Sequence, residues 1–289
     1  MKKTRLTDLE RFNIIDSGKG LVYKGFDQDW YGFWWRRLAG CGPTTVSNML
    51  LYEFGRGGAP APMAAHAASA LASGVGPMAA DGGAPAPVAA QAASALASGV
   101  GPAAADGGAP DAASAKTPGG APAPDALGRD EATAFMNRVW RHVTPGKGGV
   151  NTTGKLVKGI ESYAREAGLT PDIASLDVPE AMASRPRLDE AACFIEECLE
   201  RGSPVAFLNL DNGTEKQLDK WHWVTIIGIE YEEPISEADI DVLDNCNIIN
   251  LSLSRWLKTS TRGGGFVKFG LAPAAPAASE AGVSGSSPL

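Results

Sequence analysis

The sequence predicts an α+β domain, with helices leading and an antiparallel sheet following. Three observations carry this. Up to about Arg201, apolar residues recur at helical spacing. After Gly202-Ser203-Pro204 they come in short runs of strand length. One of those runs, Trp221–Tyr231, is apolar on both faces, which marks a central strand.

The first helix starts near Pro43, a residue suited to a first turn, and carries Val46, Met49, Leu50 and Phe54 on one face. A second is expected over Asp130–His142, where Ala134, Phe135, Val139 and Trp140 share a face. A third runs from about Gly154 to Ala167, capped by Thr152 or Thr153, and buries Leu156, Ile160 and Tyr163. Gly168 stops it, as glycine commonly does just past a helix. A fourth, about Leu188 to Arg201, presents Leu188, Ala192, Ile195 and Leu199. Strands follow at Val205–Leu210, Trp221–Tyr231, Asp239–Leu243 and Ile248–Leu251, then a turn or two of helix over Ser252–Lys258 and a strand over Gly264–Phe269.

The segment between the first two helices is a repeat. Gly57 to Asp81 recurs almost letter for letter from Gly82 to Asp106, a period of 25, and a decayed third copy starts at Gly107. Such a period can announce a solenoid. Here the copies are Ala, Gly, Pro and Ser with almost no large apolar side chains, so they have nothing to stack into a core. Their composition cannot offset the entropy of ordering, and residues 56–128 are expected to be a disordered, low-complexity insertion. The tail, 271–289, has the same composition and carries the same expectation. One domain therefore remains in two pieces, 1–55 and 129–270.

A net charge of −7 and a pI near 5.1 argue against an electrostatic binder of nucleic acid or anionic membrane. No stretch approaches the roughly 18 apolar residues of a membrane span. The charged start, Met1 to Arg11, has no apolar run behind it to act as a secretory signal, so a cytoplasmic protein is expected. The four cysteines, Cys41, Cys193, Cys198 and Cys246, then read as reduced thiols. Cys193 and Cys198 are poorly placed on one helix to bond each other, and no C-x-x-C pair suggests a zinc ribbon. No cofactor and no metal is expected.

Chemistry concentrates in three patches. Cys41 stands in Gly40-Cys41-Gly42-Pro43-Thr44 ahead of the first helix, where the dipole favours an anion. A free thiol has a pKa of about 8.5, and a helix N-terminus or an imidazolium lowers it. Gly40 and Gly42 are expected to leave room for a substrate carbonyl. His222 begins the central strand, and by alternation Trp221 and Trp223 face away from it. The other histidines have plainer readings: His66 lies in the repeat, where the next copy has Gln91, and His142 meets the dipole of a helix end. Asp244 closes the following strand, where it can fix the imidazole tautomer; Asn245 can do so through its carbonyl oxygen. Asp241 points to the other face. Thiol, imidazole and carboxylate in this order suggest nucleophilic catalysis by Cys41, His222 and Asp244.

With Gly-Cys-Gly-Pro-Thr before a helix, Trp-His-Trp-Val-Thr-Ile-Ile-Gly in a strand and Val-Leu-Asp-Asn at the end of the next, the chain resembles the papain-like cysteine peptidases, and within them the C39-like branch. The resemblance implies a papain-like fold, with the nucleophile helix packed on the antiparallel sheet. It also implies a thiol hydrolase that cleaves a peptide or amide bond in a peptide or protein substrate, with catalytic Cys41, His222 and Asp244. Transfer of the acyl group to an amine or thiol, or a non-catalytic binding module, are the alternatives. The family's glutamine a few residues before the cysteine is missing from Tyr31–Leu38, and Gln28 is expected to lie too far upstream. The Cys41 amide, with Arg36 or Arg37, is expected to supply the oxyanion donors instead. The aromatic cluster Trp30 to Trp35 is a candidate substrate subsite or a piece of core.

Overall fold

The computed structural model describes residues 1–54 and 126–274. In chain order these form β1 (Lys2–Arg5), β2 (Asn13–Asp16), β3 (Leu21–Lys24), α1 (Trp34–Ala39), α2 (Cys41–Phe54), β4 (Leu127–Gly128), α3 (Arg129–Trp140), α4 (Thr153–Glu166), β5 (Leu169–Val178), α5 (Leu188–Glu200), β6 (Val205–Asn209), β7 (His222–Tyr231), β8 (Ala238–Asp244), β9 (Asn247–Ser252), α6 (Leu253–Thr259) and β10 (Gly264–Pro273). The main sheet runs β5-β10-β6-β7-β8-β9, with β1 also paired to β7, and every pairing in it is antiparallel. A small second sheet, β3-β2-β4, lies apart from it. The fold is α+β, as the order of helices and strands predicts.

The period-2 alternation of the inner strands divides the core into two clusters. Ala206, Leu208, Trp223 and Val267 pack with α2, α3 and α4, through residues such as Leu50, Met136 and Leu156. Their neighbours Phe207, Val224 and Phe266 pack with α5 and α6, through Ile195, Leu199 and Trp256. Helices thus cover both faces. That is why β7 reads as continuously apolar: its residues are buried almost throughout, and it lies inside the sheet as a doubly covered strand should. Helix α4 begins under the Thr152 cap, whose side chain accepts the Lys155 N–H.

Several elements depart from expectation. Strand β5 escapes a sequence reading because Pro171, Asp172 and Asp177 interrupt its apolar pattern. It pairs with β10 over ten residues, and its place at the sheet edge is where a proline is tolerated. That same pairing carries β10 to Pro273, so the domain extends past residue 270. At the other junction Leu127 and Gly128 pair parallel with Ile14 and Ile15, so they join the domain and not the insertion. Residues 56–125 of the expected insertion and the expected tail from 275 lie outside the described residues. No helix among the described residues is long and apolar enough to cross a membrane.

An aromatic cluster packs under α5 and α6. Phe207 and Phe266 stack with centroids 5.2 Å apart, and Trp256 meets Phe207 edge-on at 4.7 Å. Phe266 is fully buried. Phe266→Ala should cost about 3–5 kcal/mol, read as a lower urea midpoint at unchanged m-value. A loss under about 1 kcal/mol, the scale of an ordinary surface change, would mean that the cluster collapses around the gap.

Candidate active site

Antiparallel pairing of β7 with β8 brings the start of one strand to the end of the next, so His222 and Asp244 meet although 22 residues separate them. The Asp244 Oδ1 lies 2.8 Å from His222 Nε2. The Cys41 thiol lies beside the imidazole in the same cleft and favours its charged form. Cys41 is the first residue of α2 and is partly exposed, and its Sγ also lies 3.9 Å from the Trp221 carbonyl oxygen. The structure therefore brings together all three residues that the sequence singles out. They line one cleft with Gln28, Thr44, Asn48 and Asn245.

The imidazole is only 6% exposed. Burial works against its charged form, but the hydrogen bonds and charges of Asp244 and Cys41 outweigh it and lift His222 from 6.5 to about 10. Two other thiols move away from reactivity. Burial pushes Cys198 up to about 12, and it raises Cys246 as well. All four cysteines carry free thiols. Among the described residues no group of three or more His, Cys, Asp or Glu is arranged to hold a metal ion.

Gln28 does not lie too far upstream. The loop after β3 folds back over the start of α2, and Gln28 lines the cleft with Cys41. Its Oε1 is buried without a hydrogen-bond partner. Arg36 is committed elsewhere: it donates to Asn137 Oδ1 at 2.5 Å and stacks on Trp140. Arg37 is exposed and lies outside the cleft. The signal for Gln28 was tertiary, since 12 residues, a helix among them, intervene before Cys41.

Other expectations change in detail. Gly40 and Gly42 are buried, and a Cβ on Gly40 would strike the Tyr31 ring at 2.7 Å, while one on Gly42 would press on Val150 at 3.1 Å. They permit close packing and not carbonyl access. Trp221 lies outside the strand with φ of +57°, so the alternation argument holds only for Trp223, which is buried and donates its indole N–H to the Val150 carbonyl. Trp221 is 48% exposed under the Arg262 guanidinium. The aromatic cluster divides: Tyr31 is core against Trp140, whereas Phe33 and Trp34 are exposed, and none of the three lines the cleft. Asp241 faces Arg5 and His142 contacts Ser162 and Glu166, both outside the cleft. Compared with family models, curated proteins and solved structures, the chain matches none.

The raised His222 sets the sign of a pH effect. A group whose folded value exceeds its free one contributes stability that is complete below 6.5 and is lost as pH rises through about 10. Urea midpoints of the wild type should fall across that window, and Asp244→Asn should flatten the fall. Equal slopes in the two proteins would show that Asp244 does not hold the imidazolium.

Proposed function

We propose that the chain is a thiol hydrolase of the papain-like, C39-like kind that cleaves a peptide or amide bond. The observation that carries this reading is the His222 ring, bonded at Nε2 by the Asp244 carboxylate, in one cleft with the Cys41 thiol at the start of α2. A carboxylate on one ring nitrogen fixes the tautomer, so the other nitrogen takes the thiol proton. The resulting thiolate at a helix start is favoured by the dipole and by the imidazolium beside it.

The reaction then follows in two steps. Cys41 Sγ adds to the substrate carbonyl carbon, the C–N bond breaks as His222 gives its proton to the departing amine, and a thioester remains on Cys41. Water, deprotonated by His222, adds to that thioester, and the carboxylic acid leaves as the thiol is restored. The oxyanion of each addition faces the Cys41 backbone N–H and the Gln28 side-chain NH2, a role supported by the place of Gln28 in the cleft beside Cys41. Removing such a donor costs about a hundred- to thousandfold in rate.

Iodoacetamide tests the thiolate directly. At pH 6.5 the wild type should be alkylated at Cys41 ahead of the exposed Cys193, with the buried Cys198 and the half-buried Cys246 slower still. His222→Ala should bring Cys41 down to the rate of Cys193, and Asp244→Asn should fall between. Cys41 reacting no faster than Cys193 in the wild type, followed by peptide mass spectrometry, would sink the hydrolase reading in favour of a binding module.

A further inference from the structure

The turn between β8 and β9 is two residues long, Asn245-Cys246, closed by the pairing of Asp244 with Asn247. Both residues have positive φ, 42° and 66°, as a two-residue hairpin of the primed type requires. Asn tolerates this conformation, but cysteine does not favour it, and glycine is the residue such a turn prefers at its second position. A strained residue that the hairpin does not need points to some other use of its side chain.

Both side chains reach the same place. Asn245 Oδ1 accepts the Gln28 N–H at 3.2 Å, and the Cys246 thiol points to the Gly25 carbonyl at 3.4 Å. Asn245 thus engages Gln28 and leaves Asp244 as the partner of His222. The loop they grip, Gly25–Gln28, is seated from its other side too. Asn48 of α2 accepts the Phe26 N–H at 2.9 Å and donates to Thr225 Oγ1 of β7. Gly25 has φ of +75°, and a Cβ there would lie 2.5 Å from Asn48 Oδ1 and 2.7 Å from the Leu243 side chain. The loop is therefore wedged between the helix that carries Cys41 and the strand that ends in Asp244. Burial keeps the Cys246 thiol protonated, as a donor must be.

We propose that the Asn245-Cys246 turn is a positioning device, holding the Gly25–Gln28 loop so that the Gln28 side chain faces the oxygen of the carbonyl attacked by Cys41. This rests on the hydrolase reading above and adds to it two residues that act through the Gly25–Gln28 loop. A misplaced donor of this kind can cost about a hundredfold in rate.

Two probes separate the turn from the dyad. Iodoacetamide requires only the activated thiol. p-Nitrophenyl acetate requires the oxyanion donors as well: Cys41 Sγ adds to the ester carbonyl, the C–O bond breaks, p-nitrophenolate leaves with the electron pair, and acetyl stays on sulfur. Asn245→Gly accepts the backbone conformation but loses the acceptor, whereas Asn245→Asp keeps an acceptor oxygen. Asn245→Gly should acetylate Cys41 at least about tenfold more slowly at unchanged iodoacetamide rate and undiminished Tm. Its Gln28 amide proton should exchange faster, and Asn245→Asp should restore both. Cys246→Gly, which creates the preferred Asn-Gly hairpin, should raise Tm yet slow acetylation. Wild-type acetylation in Asn245→Gly, or equal losses with both probes, would overturn the positioning role while leaving the dyad standing. Absence of His222-dependent acetylation in the wild type would overturn the hydrolase reading and this role together.

Discussion

Strand β7 pairs with β6 and β1 along one edge and with β8 along the other, while helices cover both of its faces. A shift of one residue would swap Trp223, which packs under α2, with Val224, which packs under α5. Register is thus fixed by burial on two sides at once. Everything that matters at the cleft inherits that precision: His222 is the first residue of β7, and Asp244 is set against it by the β8 register. Helix α2 is tied to the same strand through Asn48 and Thr225, which keeps its first residue, Cys41, over the strand start.

The cleft is an expensive place for a charge. An imidazolium with 6% exposure loses nearly all its hydration, and a single unpaired ion so buried would simply give up its proton. Two partners change the balance. Asp244 is itself partly buried, with 15% of its side chain exposed, so its bond to His222 is little screened by water or salt. Surface ion pairs elsewhere in the chain, such as Arg141 with Glu166 at 3.8 Å, have no such leverage.

Much of this was legible in the letters. Cys41, His222 and Asp244 stand out because each residue type is scarce or placed at an element boundary, and antiparallel strands bring such boundaries together. The helices α2 to α5 declare themselves through periodicity. Gln28 did not, because its place depends on contacts with residues over two hundred positions away. The Asn245-Cys246 turn was hidden for another reason: Asn-Cys carries no hairpin signal, and only the φ values reveal it. Strand β5 hid behind its proline, and the N-terminal strands β1 to β3 were too short to show alternation. The reading that Gly40 and Gly42 open space failed because a missing side chain is equally a means of closing it, here against Tyr31 and Val150.

The order of the site residues along the chain bears on how such a protein is made. Cys41 leaves the ribosome early, whereas β7 and β8, which bring His222 and Asp244, come near the end of the described chain. Closing so long a loop is slow and has to await the last strands. On the hydrolase reading, a nascent or truncated chain carries the sulfur without its base. Until the sheet is complete the thiol has no imidazole beside it, and topology itself delays the nucleophile.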